Sequence, residues 1–284
     1  MITAIARAKI NLFLHVTGKQ PDGYHLLESL VVFPDGGDEI TVSKSKDLSL
    51  EVIGPFSHAI GSTDENLILK AAQLLKSESG TDQGAHITLV KNLPVAAGIG
   101  GGSSDAAITL KTLNGLWGID FSDDKLSQLG LTLGADVPAC LYGKPAIMSG
   151  IGEQLAKIDH FPEFDILLVN SGLMVSTRDV FSRLEISRQP SSDFCFEDMT
   201  RNELFSALAT MRNDLEEPAC QIAPVVKSTL SAIRGQKECR LARMSGSGAT
   251  CFGLFETERA AQMAKNAIQS HHPDWWVQTM AVGL

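Results

Sequence analysis

Several things are scarce or missing in this chain of 284 residues, which carries only two tyrosines and three tryptophans. Its five cysteines, Cys140, Cys195, Cys220, Cys239 and Cys251, are scattered, odd in number and free of any Cys-x-x-Cys pair. That argues against a disulfide framework or a thiolate metal site and for reduced thiols in a cytoplasmic protein. The seven histidines show no His-x-x-x-His spacing, so no protein-held metal is expected. No Lys/Arg cluster interrupts a formal net charge of −9, which speaks against a nucleic-acid partner. No apolar run approaches the ~20 residues of a membrane-spanning helix, so no membrane partner is expected. The patterned sequence starts almost at the first residue, leaving no room for a signal or transit peptide.

Familiar phosphate cradles are missing too. A P-loop needs G-x-x-x-x-G-K-S/T, but Gly18-Lys19 is followed by Gln20 and Gly143-Lys144 by Pro145. A dinucleotide fingerprint needs G-x-G-x-x-G; counting from Gly98 the sixth position is Ser103, and from Gly100 it is Asp105. The marks of protein kinases are likewise absent.

What is present instead is PVAAGIGGGSSDAA: Pro94, Val95, Ala96, Ala97, Gly98, Ile99, Gly100, Gly101, Gly102, Ser103 and Ser104, then Asp105 and a helical pattern. Glycines before a helix start allow close backbone approach and aim several unpaired N–H groups at one place. The segment reads as a phosphate cradle, against the alternative of a plain Gly/Ser turn. Ser104 or Asp105 is expected to cap the helix, whose buried face would carry Ala106, Leu110, Leu113 and Trp117.

Residues 4–16 alternate, with Ala6, Ala8, Ile10, Leu12, Leu14 and Val16 on one face and Arg7, Lys9, Asn11, Phe13 and His15 on the other. Period two predicts one strand with a single buried side, from whose other side Lys9 and Asn11 project together. Strands are further expected near 38–43, 48–54, 86–91, 165–169, 240–244 and 249–255. Ser62 to Glu65 matches a capping box for a helix through Leu67, Ala71, Leu74 and Leu75. Ser122 should cap another helix ending at Gly134, and helices follow near 176–185, 200–211, 217–234 and 257–270, before a final strand. The mixture lacks strict βαβ alternation and predicts an α+β fold. With a break around 143–152, the domains are expected at 1–150 and 151–284.

Two more segments stand out. In GADVPACLYG, Asp136 precedes Val137-Pro138, as a helix N-cap with proline in the first turn would. A cap at such a junction also faces a cleft, so a catalytic carboxylate stays open beside the capping role. In MSGSGATCFG, Ser245-Gly246-Ser247-Gly248 reads either as an ordinary tight turn or as N–H groups and two hydroxyls suited to phosphate oxygens.

Together these pieces resemble the GHMP kinases. The shared features are a strand bearing Lys9 and Asn11, a P-x-x-x-G-L/I-G-G-G-S-S-D/N-A-A loop, GADVP and SGSGAT. AKINLFLHVTGKQPDGYHLL at 8–27, VSTRDVF at 175–181 and NDLE at 213–216 extend the likeness over nearly the whole chain. The DGYH tetrapeptide at 22–25 narrows it to the members that act on a cytidine diphosphate conjugate of methylerythritol.

The resemblance implies a two-domain α+β fold, with ATP and substrate meeting in a cleft between the domains. It implies a small-molecule kinase that takes ATP on the 94–104 loop, with Mg²⁺ expected alongside, and phosphorylates the 2-hydroxyl of a substrate carrying a cytidine diphosphate group. Lys9 and Asp136 are the implied catalytic pair, and Asn11, Tyr24, His25, Thr177 and Phe181 the implied substrate contacts, Phe181 lying across from Tyr24 and His25. Three departures stand out. Ala96 replaces a usual glycine and should be confined to negative φ, Gln20 replaces a frequent arginine, and Ala139 replaces a frequent phenylalanine. The remaining alternatives are a related kinase of another alcohol and a nucleotide-binding regulatory module without chemistry.

Overall fold

A computed structural model describes residues 1–21, 23–61, 66–185 and 195–283. The capping box expected at Ser62–Glu65, and Asp22 of the DGYH segment, lie outside them. The chain divides into two compact units that are not consecutive halves. The first comprises Met1–Lys9, Gly36–Val95 and Gly100–Gly143; the second comprises Ile10–Asp35, Ala96–Ile99 and Lys144–Leu284. Among the described residues no helix is long and apolar enough to cross a membrane.

In the first unit a four-stranded sheet runs β1 (Ile2–Arg7), β5 (Gly37–Ser45), β7 (Gly84–Val90), β6 (Ser49–Ile53). All neighbours are antiparallel except the parallel β6–β7 pair. Alternate residues of β5 and β7, including Ile40, Val42, Ile87 and Leu89, are fully buried. Helix α2 (Gly101–Trp117) packs on this sheet and against α1 (Leu67–Ser79), α3 (Asp123–Leu133) and α4 (Val137–Tyr142). It buries Ala106, Leu110, Leu113 and Trp117 as its period predicts. Helix α1 opens at Asn66, whose side chain accepts the Ile68 N–H. Ser122 caps α3 as expected.

The second unit holds two sheets. In one, β4 (His25–Val32) is central, pairing with β2 (Ile10–Asn11) and β3 (His15–Lys19) on one side and β8 (Ala146–Gly150) on the other, which continues to β9 (Gln154–Lys157). The other runs β11 (Cys239–Met244), β12 (Cys251–Phe255), β10 (Phe164–Asn170), β13 (Trp276–Val282). Helices α5 (Thr177–Ser182), α6 (Arg201–Ala209), α7 (Glu216–Ile222), α8 (Val225–Arg234) and α9 (Glu258–His271) complete the unit. Val169, Leu230, Ile233, Cys251 and Ile268 share one of its apolar cores.

Three expectations are corrected. The 4–16 strand is interrupted: β1 ends at Arg7, β2 is two residues long, and every residue from Ala8 to Val16 is buried. Alternation with polar residues does not expose a face when neighbours cover both. The single helix near 217–234 is two, because Pro224 lacks the N–H that would continue α7. The break around 143–152 contains β8, whose short apolar run Ala146–Met148 reads equally as loop or strand.

Candidate active site

In the first unit, Gly100 is the N-cap of α2, at φ 63° and with no side chain to cap the helix. Ser104 and Asp105 lie inside α2 and are buried, which corrects the expectation that one of them caps it. With no cap, the first-turn N–H groups keep their capacity for an acceptor. A Cβ on Gly100 would sit 3.0 Å from Lys9 Cβ and 3.3 Å from Lys9 Cε, so the lysine stem runs along this turn.

The Lys9 ammonium donates to Asp136 Oδ1 at 2.9 Å, with the lysine side chain 5% and the aspartate side chain 39% exposed. Asp136 occupies the N-cap position of α4, yet its side chain makes no cap hydrogen bond. The capping role is therefore not what its carboxylate does. Behind it on α4, burial, then Asp136, push the Cys140 thiol well up, so it is inert.

The rest of the glycine segment, Ala96–Ile99, belongs to the second unit, where it packs backbone to backbone on the Ser245–Gly248 turn. A Cβ on Gly98 would meet Ser245 O at 2.5 Å, and one on Gly246 would meet Gly98 O at 2.7 Å. Only glycines permit that approach. Ala96 adopts φ 51°, against the expectation of a negative angle: the turn imposes the glycine-like conformation on an alanine. Ala97 and Ile99 point inward and are buried.

Ser245 is buried, its Oγ accepting from Asn11 N at 3.1 Å and donating to Gly98 O at 3.0 Å. That hydroxyl is committed to holding the two turns together, a correction to its reading as a phosphate ligand. Asn213 adds a brace, its Nδ2 donating to Met244 O and Gly246 O. Nothing in the NDLE string signals this role, because the pairing spans more than thirty residues.

The implied substrate contacts also lie in the second unit. Gln20 N donates to Tyr24 O across the β3–β4 turn, leaving Tyr24 60% exposed. The His25 ring stacks on Phe181, with centroids 4.7 Å apart and planes 26° apart. That leaves no room for a base between these two rings. Burial, then the Lys19 ammonium, lower the His25 pKa, so the ring is neutral at pH 7 and offers one donor and one acceptor nitrogen. Thr177 sits one helical turn from Phe181 on α5 and shares a 2.7 Å hydrogen bond with Ser247 Oγ. Asn11 is buried and donates through Nδ2 to Ser29 Oγ at 2.7 Å.

Among the described residues, His160, Glu197 and Asp198 bring three metal-ligand atoms within 4.8 Å of one another. Both Glu197 carboxylate oxygens already accept backbone N–H groups, from Asp159 and His160.

Comparison with known proteins gives the family. The model of the GHMP kinases N terminal domain matches residues 66–144, and that of the GHMP kinases C terminal matches 196–274. A Parvibaculum lavamentivorans protein described as 4-diphosphocytidyl-2-C-methyl-D-erythritol kinase is 46% identical, covering 99% of this chain and 98% of its own. One of the same description from Dinoroseobacter shibae is 50% identical over 97% of this chain and 93% of its own. A crystal structure of 4-(cytidine 5'-diphospho)-2C-methyl-D-erythritol kinase superposes with TM-score 0.78 at 33% identity, covering 99% of this chain and 100% of that one. Homoserine kinase from Cytophaga hutchinsonii, at 17% identity and TM-score 0.73 over 100% and 94% of the two chains, shares the fold. The chain belongs to the GHMP kinase family, in its branch of 4-diphosphocytidyl-2-C-methyl-D-erythritol kinases.

Proposed function

We propose that this chain transfers the γ-phosphoryl group of ATP to the 2-hydroxyl of 4-diphosphocytidyl-2-C-methyl-D-erythritol, giving the 2-phosphate, a step of isoprenoid precursor synthesis by the non-mevalonate route. The observation that carries the reading is the 2.9 Å Lys9–Asp136 pair, whose lysine stem lies against the N-cap glycine of α2. It sets a part-exposed carboxylate, paired with an ammonium, beside a turn suited to phosphate.

Asp136 accepts the hydroxyl proton as the oxygen attacks the γ-phosphorus. Lys9 holds that carboxylate in place, orients the hydroxyl and offsets charge on the moving phosphoryl group. Positioning and electrostatics of this kind dominate phosphoryl transfer. The start of α2 fits the ATP phosphates because its N-cap is Gly100, which has no side chain to take up the first-turn N–H groups. Pro94 through Ser104 form this cradle. Ser104 contributes through its backbone, since its side chain is buried. Mg²⁺ bound with ATP would shield phosphate charge.

Tyr24, His25 and Phe181 read the cytosine, which lies on an outer face of the stacked pair. Asn11 and Thr177 supply polar contacts. The neutral His25 suits a base edge, where a wrong base leaves buried groups unpaired. The whole is a cytoplasmic enzyme with a small-molecule partner and neither a nucleic acid nor a membrane partner.

Incubation with Mg-ATP and a panel of alcohols tests this. The cytidine diphosphate conjugate should give ADP and a new phosphomonoester by ³¹P NMR. Methylerythritol phosphate, homoserine, mevalonate and galactose should give none. Equal turnover of a substrate lacking cytidine would return the chain to an unspecified kinase of the family.

A further inference from the structure

Directly behind the α2 N-terminus lies a second lysine–carboxylate group that the reaction above leaves unused. Lys91 Nζ donates to Asp38 Oδ2 and to Asp105 Oδ2, each at 2.6 Å, and all three side chains are at most 5% exposed. Asp38 Oδ1 also accepts the N–H groups of Asn92 and Leu93 at 2.6 and 2.8 Å, so its charge is well met. Asp105 is different. Its Oδ1 is buried with no hydrogen-bond partner among the described residues. A Cβ placed on Gly101 would sit 3.2 Å from Lys91 Nζ and 3.7 Å from Asp38 Oδ2, so only a glycine separates the group from the first turn of α2.

The charges do not balance: one ammonium faces two carboxylates in a closed site, beside a turn suited to phosphate. We propose that Lys91, Asp38 and Asp105 form a proton-binding site behind the cradle, and that Asp105 takes up a proton from solvent when nucleotide phosphates settle on the turn. This rests on the reading of 94–104 as the ATP cradle. With Asp105 ionised the group carries a net −1 and repels the phosphates; with Asp105 protonated it is neutral. Low local dielectric makes that single charge matter.

Burial, helped by the neighbouring Asp38, raises the Asp105 pKa to about 7 despite the attraction of Lys91. Burial works against the Lys91 charge, but Asp105 and Asp38 outweigh it and raise its pKa, so Lys91 stays charged throughout. From α4 the facing group is Cys140, a thiol kept neutral chiefly by burial, with the Lys9–Asp136 pair beyond it. Asp105 is therefore the member that titrates near neutrality, and a bound polyanion moves it further toward the protonated form. Its role is to position and balance charge, without touching substrate.

Calorimetric titration of the full chain with a non-hydrolysable ATP analogue and Mg²⁺ at pH 7.5, in two buffers of different ionisation enthalpy, reads the proton uptake. Asp105→Asn keeps an acceptor for Lys91 but cannot titrate, and comparison with it cancels the nucleotide's own protons. The wild type should take up on the order of half a proton more per nucleotide than the variant, for a group near 7 raised by about one unit. Equal uptake at undiminished affinity overturns the linkage and leaves the cradle standing. Absence of nucleotide binding in the wild type overturns the cradle reading and the linkage with it. Should Asp105→Asn fail to fold, infrared difference spectra of the wild type at pH 8 decide. A carboxylic acid band appearing with the analogue supports the proposal, and no such band overturns it.

Discussion

Among the described residues of the first unit, two groups that pair a buried lysine with aspartates are built from the same residue types for opposite ends. Lys9 and Asp136 form a one-to-one pair whose carboxylate is 39% exposed, so charge is balanced and the proposed base is open to solvent. Lys91, Asp38 and Asp105 form a closed one-to-two group with a surplus carboxylate and an unmet oxygen. Burial and stoichiometry, not residue type, separate a carboxylate that is open to solvent beside one ammonium from one that is closed in and shares its ammonium with a second carboxylate.

The sharpest way to break the comparison is at the exposed pair. Asp136→Asn should lower kcat by about 10²- to 10⁴-fold with ATP affinity intact. The Asp136 side chain caps nothing, so the fold should stand, with melting lowered only by the weakened Lys9 pair. Near-normal turnover would show that the pair is structural after all.

The buried group should answer in stability instead. Lys91→Met strands two carboxylates in the interior and should cost about 3–5 kcal/mol, read by denaturant unfolding at pH 8. A loss below 1 kcal/mol would mean that the two carboxylates are not held closed.

Substrate recognition should be separable from both groups. His25→Ala or Phe181→Ala removes stacking worth about 1–3 kcal/mol, which should raise KM for the cytidine substrate roughly 5- to 150-fold and leave KM for ATP unmoved. A parallel rise in both constants would tie these rings to the nucleotide site.

Asp105→Asn sharpens the comparison through pH. The folded pKa of Asp105 is raised, to about 7 from 3.8. Its contribution to stability is therefore greatest below 3.8 and is lost as pH rises to about 7. The variant should gain on the wild type across that window and hold a constant advantage above it. A difference independent of pH, measured by thermal melts from pH 4 to 8, would show that Asp105 does not titrate there.

The smallest effect concerns the strained alanine. Ala96→Gly relieves a left-handed conformation and should stabilise by about 0.5–1 kcal/mol after the entropic cost of glycine. Melting should rise by about 2 °C; a fall would show that the alanine methyl makes contacts outweighing the strain.

Local rules made much of this molecule legible. The period of Ala106, Leu110, Leu113 and Trp117 announced α2, Ser122 announced α3, and the glycine string and the DGYH, GADVP and SGSGAT segments announced the family and the pair Lys9 and Asp136. Each signal depends on residues close in sequence, or on strings particular enough to carry a likeness.

Only the tertiary structure decided the rest. Whether Asp136 caps α4 or pairs with Lys9 depends on a partner 127 residues away. Ser245 turns from a phosphate candidate into a clamp because Asn11 and Gly98 reach its hydroxyl. Ala96 takes a positive φ because packed turns override its own preference. Asp105 reads as a candidate helix cap, and nothing in the sequence joins it to Lys91 and Asp38; they become one buried group only when β5, β7 and α2 assemble around them. Sequence set the residue types and their local periods; long-range packing set which charges lose water, and with that which of them hold protons.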